Sequence, residues 1–120
     1  MGVVIDYTSG FFEAAPTGET VGSISGNATL DLTSGNVFSH APSANATFVF
    51  SNPPASGTGY DFTLKVTPSA TVTITWPSSV KWAGGTAPTA PANGETDVYS
   101  FFTTDGGTNY YGFQAGDALA

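Results

Sequence analysis

The chain has 120 residues, two lysines and no arginine against nine acidic groups, and a formal charge of −7. The length predicts one domain. The lack of clustered cations excludes a phosphate-tracking nucleic-acid surface and disfavours an anionic membrane surface. With no cysteine there is neither a disulfide framework nor a thiolate site.

Thr, Ser, Gly, Ala and Asn dominate, helix formers are scarce, and Val, Thr, Phe and Tyr are plentiful, which is an all-β composition. No apolar run approaches the roughly 18 residues of a membrane span. Residues 1–25 read as an amino-terminal arm or edge segment and residues 26–120 as the β-domain. In the arm, Val3, Val4, Ile5, Tyr7, Phe11 and Phe12 form an apolar head followed by Glu13-Ala-Ala-Pro-Thr-Gly-Glu. Leaving such residues in water is unfavourable, so Ile5, Tyr7, Phe11 and Phe12 are expected to contact their own domain or a neighbour. The opening Met1-Gly-Val-Val-Ile-Asp has no basic stretch and does not read as a signal peptide. Asp6 stands where a myristoylation signal prefers Ser or Thr.

From Ala28 the strand signal is regular. Ala28-Thr-Leu-Asp-Leu alternates, Ser34-Gly-Asn turns, and Val37-Phe-Ser-His follows. Ala46-Thr-Phe-Val-Phe-Ser is ended by Asn52-Pro-Pro, which cannot continue a ladder. In Tyr60-Asp-Phe-Thr-Leu-Lys-Val, Tyr60, Phe62, Leu64 and Val66 share one face. Val72, Ile74 and Trp76 form the inward set of the next strand. The segments from Val98 and Thr108 make the last pair, joined through Asp105-Gly-Gly, where positive φ is easily adopted. The predicted fold is an all-β antiparallel sandwich or jelly roll of about seven or eight short strands with no substantial helix. Ala83 to Glu95 reads as a surface crossover loop.

An enzymatic inventory is missing. His40 is the single histidine, at a strand end, and reads as an ordinary loop residue. Glu95 with Asp97, or Asp97 with Asp105, are the close carboxylate pairs, but they flank turns where Asp caps backbone. Oxygens of Asp105, Thr108 and Asn109 suggest calcium, yet that ion wants six to eight ligands, and a hairpin turn accounts for them better. No cofactor or metal is expected. Trp76 belongs with the core set. Trp82, Tyr110 and Tyr111 are candidates for glycan contact through aromatic stacking, with core or intersubunit packing as the alternative. Adjacent Tyr110 and Tyr111 must face opposite ways. Asn27-Ala-Thr and Asn45-Ala-Thr match a glycosylation sequon and are taken as chance.

The block Thr75-Trp-Pro-Ser-Ser-Val-Lys-Trp-Ala-Gly-Gly-Thr-Ala-Pro, with Asp97-Val-Tyr-Ser-Phe-Phe-Thr-Thr-Asp-Gly-Gly-Thr-Asn-Tyr-Tyr-Gly-Phe, resembles a terminal module of tailed-bacteriophage virion proteins. The likeness covers about residues 70–116, with a weaker stretch at Leu30-Asp-Leu-Thr-Ser-Gly-Asn-Val-Phe. Thr104 before Asp105, and Tyr110 where Trp is usual, depart from the pattern. The resemblance implies a trimeric, non-enzymatic β-sandwich module of a virion. A chain running from Met1 to Ala120 has no fibre shaft, so the expectation is a homotrimeric capsid decoration (cement) protein on the outer shell. Its partners would be the major capsid protein and further copies of itself, with Ile5, Tyr7, Phe11 and Phe12 contacting the capsid or neighbouring subunits. The alternative is a tail-fibre tip recognising host glycans.

Overall fold

A computed structural model describes residues 21–120 in full and, ahead of them, the backbone of the strands at 3–6 and 11–14. Those two strands, β1 (Val3–Asp6) and β2 (Phe11–Ala14), pair antiparallel, with Ile5 opposite Phe12. Tyr7 and the side chains of Ile5, Phe11 and Phe12 lie outside the described residues, as does their expected contact role.

Residues shortly before 26 also join the sheets. The Gly22 amide donates to the Val37 carbonyl at 2.7 Å, and β3 (Ile24–Ser25) pairs with β4 (Thr29–Asp31). The strands that follow are β5 (Val37–His40), β6 (Ala46–Thr47), β7 (Val49–Ser51), β8 (Tyr60–Val66) and β9 (Ile74–Thr75). The chain ends with β10 (Val80–Lys81), β11 (Thr96–Thr103) and β12 (Tyr110–Leu119). The single helical element among the described residues is a 3-10 turn at Ala83–Gly85, inside the predicted crossover loop.

Two layers enclose one core. The first is a five-stranded sheet ordered β10-β12-β11-β8-β5. The second is built around residues 46–51, where β6 and β7 are separated by Phe48 alone. On one side this segment pairs with β9, and on the other with β4, which pairs in turn with β3. The Phe48 amide bonds to the Thr75 carbonyl and the next amide, Val49, bonds to the Ala28 carbonyl, so the segment hands its pairing from one neighbour to the other within a single residue step.

The chain is all-β, as its composition and alternation predict. Two details of that expectation are corrected. More strand segments form than the predicted seven or eight, several of only two residues. The sheets are also mixed: β4 with β7, β5 with β8, β6 with β9 and β10 with β12 all run parallel. Parallel neighbours require long crossovers, and the Pro- and Gly-rich connections supply them. Residue alternation reads the same for either polarity, so the sequence pattern could not separate the two.

Phe62 is the centre of the core. Its ring stacks on Phe101 at 5.1 Å and meets the edges of Phe50 at 5.0 Å, Phe38 at 6.0 Å and Tyr110 at 6.1 Å. Phe62, Leu64 and Val66 are all buried, as the alternation of β8 requires, and β11 buries Asp97, Tyr99, Phe101 and Thr103 on the same side. Offset and edge-on ring pairs of this kind add about 0.5–1.5 kcal/mol each beyond the area they bury. Gly112 lies opposite Phe101 in the ladder; a Cβ there would come within 2.9 Å of the Phe101 ring and 3.0 Å of Val80 Cγ1. Glycine is what lets Phe101 lie flat across β12.

Truncating the central ring, Phe62→Ala, is expected to destabilise the domain by about 3–5 kcal/mol. Gly112→Ala, which overfills the same region, is expected to destabilise it by about 1–3 kcal/mol. Urea unfolding followed by tryptophan fluorescence measures both.

Candidate functional site

The aromatic-rich carboxy-terminal block is mostly turned inward. Trp76 stacks on Phe48 at 4.9 Å and 14° and meets the Tyr99 ring edge-on at 4.7 Å. Trp82 is half-buried against Trp76 at 5.3 Å and Phe101 at 5.6 Å. Tyr110 is 3% exposed, with its ring against Phe50 at 5.0 Å, whereas Tyr111 is 43% exposed. The structure therefore separates the three candidate glycan contacts. Tyr110 is a core residue, Trp82 packs on the core's rim, and Tyr111 alone stands on the surface. The predicted opposition of Tyr110 and Tyr111 is what divides them.

Pro77 opens a cleft beside this packing. Where β6 and β9 run parallel, the amides of Ala46 and Phe48 bond to the carbonyls of Thr73 and Thr75. The next donor owed to the Phe48 carbonyl is the nitrogen of Pro77, which carries no hydrogen, so the ladder stops and the chain turns through Pro77 to Val80. The resulting open cleft, about 390 Å³, is floored by Phe48, Phe50, Trp76 and Tyr110 and rimmed by Pro53, Ser78 and Ser79. A second hollow of about 240 Å³ is bordered by His40 and the loop from Ala41 to Asn45. His40 packs edge-on against Phe48 at 5.6 Å, and burial lowers its pKa below the ordinary histidine value.

Two acidic side chains, Asp105 and Asp31, are held by nearby hydrogen-bond donors. Asp105 Oδ1 accepts from the Asn109 amide at 2.9 Å and from the Thr103 hydroxyl at 3.1 Å, and Oδ2 accepts from Asn109 Nδ2 at 3.0 Å. These bonds, those to Asn109 foremost, hold its pKa below the usual carboxylate range. Hydrogen bonds from Thr33 and Asn52 do the same for Asp31. Asp105 is thus the cap of its hairpin turn, the expected role. Among the described residues no group of three or more His, Cys, Asp or Glu side chains is placed to hold a metal ion.

Asp97 departs from expectation. It does not flank a solvated turn; it sits in β11 with its side chain fully buried. Its carboxylate accepts from Ala118 N at 2.8 Å, Gln114 Nε2 at 2.9 Å and the Tyr99 hydroxyl at 3.2 Å. The register of β11 against β12 shifts between Thr96 and Tyr99, and Asp97 ties the end of β12 across that irregularity. Burial, then the neighbouring Asp97 charge, push the Tyr99 phenol well above its ordinary pKa. Tyr110 moves the same way, chiefly through burial.

The outward face of the five-stranded sheet is the exceptional surface. Ladder registers place Lys81, Tyr111, Phe102 and Asp61 side by side on β10, β12, β11 and β8. Phe102 and Tyr111 stack at 5.2 Å and 30° while remaining 39% and 43% exposed. Phe113, 52% exposed, lies in the next row beside Ser100, Thr63 and Val37. Lys65, the other cation of the chain, occupies the row beyond. Phe102 and Phe113 were not singled out by sequence reasoning. The signal was there: Phe101-Phe102 must split across the two faces just as Tyr110-Tyr111 does.

Asp97→Ala removes the shared acceptor of three donors, the buried Tyr99 hydroxyl and the less buried Gln114 and Ala118 groups, and is expected to destabilise the domain by about 1–3 kcal/mol in thermal or urea unfolding. For the phenols, the folded chain holds its protons more tightly than the unfolded chain. Their contribution is therefore intact below about pH 10 and is lost as pH rises beyond it. Unfolding midpoints measured across alkaline pH check this; Tyr99→Phe should flatten the decline. Comparison with protein-family models, curated proteins and solved structures gave no match, so the functional reading rests on residues and geometry.

Proposed function

We propose that this chain is a non-catalytic structural protein of a bacteriophage virion, acting as a decoration (cement) protein on the outer capsid. The observation that carries the reading is the contrast between its two surfaces of interest. Asp97 and Asp105, members of the close carboxylate pairs, are held in the buried clip and the turn cap. The exposed rings of Phe102, Tyr111 and Phe113 form a contiguous apolar stripe on an acidic domain, and such stripes mark contacts with other proteins. Resemblance of the carboxy-terminal block to phage virion modules supports a virion setting.

In this role the protein works by linkage. A ligand that binds the assembled shell and not its dissociated subunits stabilises the shell by mass action. A rigid, disulfide-free β-domain suits that task, because little of its own order has to be created on binding. The apolar amino-terminal segment around Ile5 and Phe12 is the proposed capsid contact, leaving the sheet face for a further partner. A tail-tip module recognising host glycans has less support: of Trp82, Tyr110 and Tyr111, one ring alone is free to stack on a sugar.

Thermal release of DNA should occur at a higher temperature from particles carrying the protein than from particles stripped of it; equal release temperatures reject the clamp. Removing residues 1–12 should abolish shell binding while the remaining domain keeps its circular-dichroism spectrum.

A further inference from the structure

We infer that the partner covering the aromatic stripe is a second copy of this chain, docked face to face about a two-fold axis running along the strands between β11 and β12. The inference rests on reading that face as a protein contact, and it is independent of where in a virion the protein sits. What identifies the occupant is charge. The row Lys81, Tyr111, Phe102, Asp61 reads cation, ring, ring, anion across four neighbouring strands. A two-fold axis through its middle maps the row onto itself reversed. Lys81 then meets the partner's Asp61, Asp61 meets the partner's Lys81, and each Tyr111 ring meets the partner's Phe102.

Neither end of the row is neutralised by a described residue of its own chain. Among the described residues, no ion pair involves Lys81 or Asp61. Three strand spacings separate them by about 14 Å, beyond the screening length of about 8 Å at physiological salt. At −7 per chain, two copies repel over most of their surfaces. Both of the chain's cations, Lys65 and Lys81, lie on this one sheet face, which makes it the face of least repulsion for an equally acidic partner. Sheets stack about 10 Å apart, a separation that four aromatic rings fill. An isologous contact of this kind closes on itself as a dimer, in place of the trimer that the resemblance implies. The rings supply most of the affinity, and the charged ends fix the register.

Sedimentation velocity on the full chain tests this, with circular dichroism confirming that each variant is folded. The wild type is expected to dimerise in a concentration-dependent manner, and Tyr111→Ser to weaken the dimer by about tenfold or more. Lys81→Asp and Asp61→Lys, each alone, place like charges at both ends of the contact and are expected to be monomeric. An equimolar mixture of the two single variants, and the double variant Lys81→Asp/Asp61→Lys, restore opposite charges at both ends and are expected to dimerise. A wild type that stays monomeric at its highest soluble concentration overturns the inference, as does a trimer indifferent to these substitutions or a mixture that fails to associate. Shell binding retained by a monomeric wild type would leave the decoration role standing and remove only the self-pairing.

Discussion

The fold depends on a single aromatic contact zone between its layers. Phe62 and Phe101 come from adjacent strands of the five-stranded sheet, stacked on one another, and Phe50 from the opposite layer closes edge-on over both. Nearly every other core ring touches one of these three, so each layer is positioned through them. A short chain without disulfides has few other means of fixing two sheets made of such brief strands. Flat rings suit the purpose, because each buries a large area while fixing few rotatable bonds.

Polar groups complete what the rings begin. The mixed sheets leave irregular places where ladders stop, and side-chain oxygens occupy several of them. Asp105 closes the β11–β12 turn, Asp31 gathers Thr33 and Asn52, and Asp97 holds the end of β12 against β11. Asn52 adopts a positive φ of 58°, a conformation that Asn tolerates better than most residues, and the two prolines after it end β7. Three of the acidic side chains among the described residues, Asp31, Asp97 and Asp105, thus act as fasteners.

The proposed function uses the surface that folding leaves free. Tyr111 and Phe102 stack across the outward face of the same two strands whose inward faces carry Tyr110 and Phe101. One ladder therefore serves stability on one side and, in the proposed role, contact on the other. A domain held rigid by its inner rings presents its outer rings in a fixed arrangement, a condition for using them in assembly. Proposed capsid attachment and proposed self-pairing place the two adhesive regions on different parts of the chain, the arm and the sheet.

Much of this was legible in the sequence, because side-chain alternation is a local property with a period of two. It fixed the all-β class, the buried set Phe62, Leu64 and Val66, the inward Trp76, the split of Tyr110 from Tyr111, and the capping role of Asp105 beside its glycine pair. Tertiary structure alone decided what depends on which strands become neighbours. Period-two alternation is blind to strand direction, so the four parallel pairings were invisible. Asp97 lies among residues that favour turns, and its burial arises from a register shift between two strands. The row from Lys81 to Asp61 joins residues from four strands, and only the ladder registers bring them abreast. Distance along the chain says nothing of it, since hydrogen bonding between strands, not sequence order, sets that alignment.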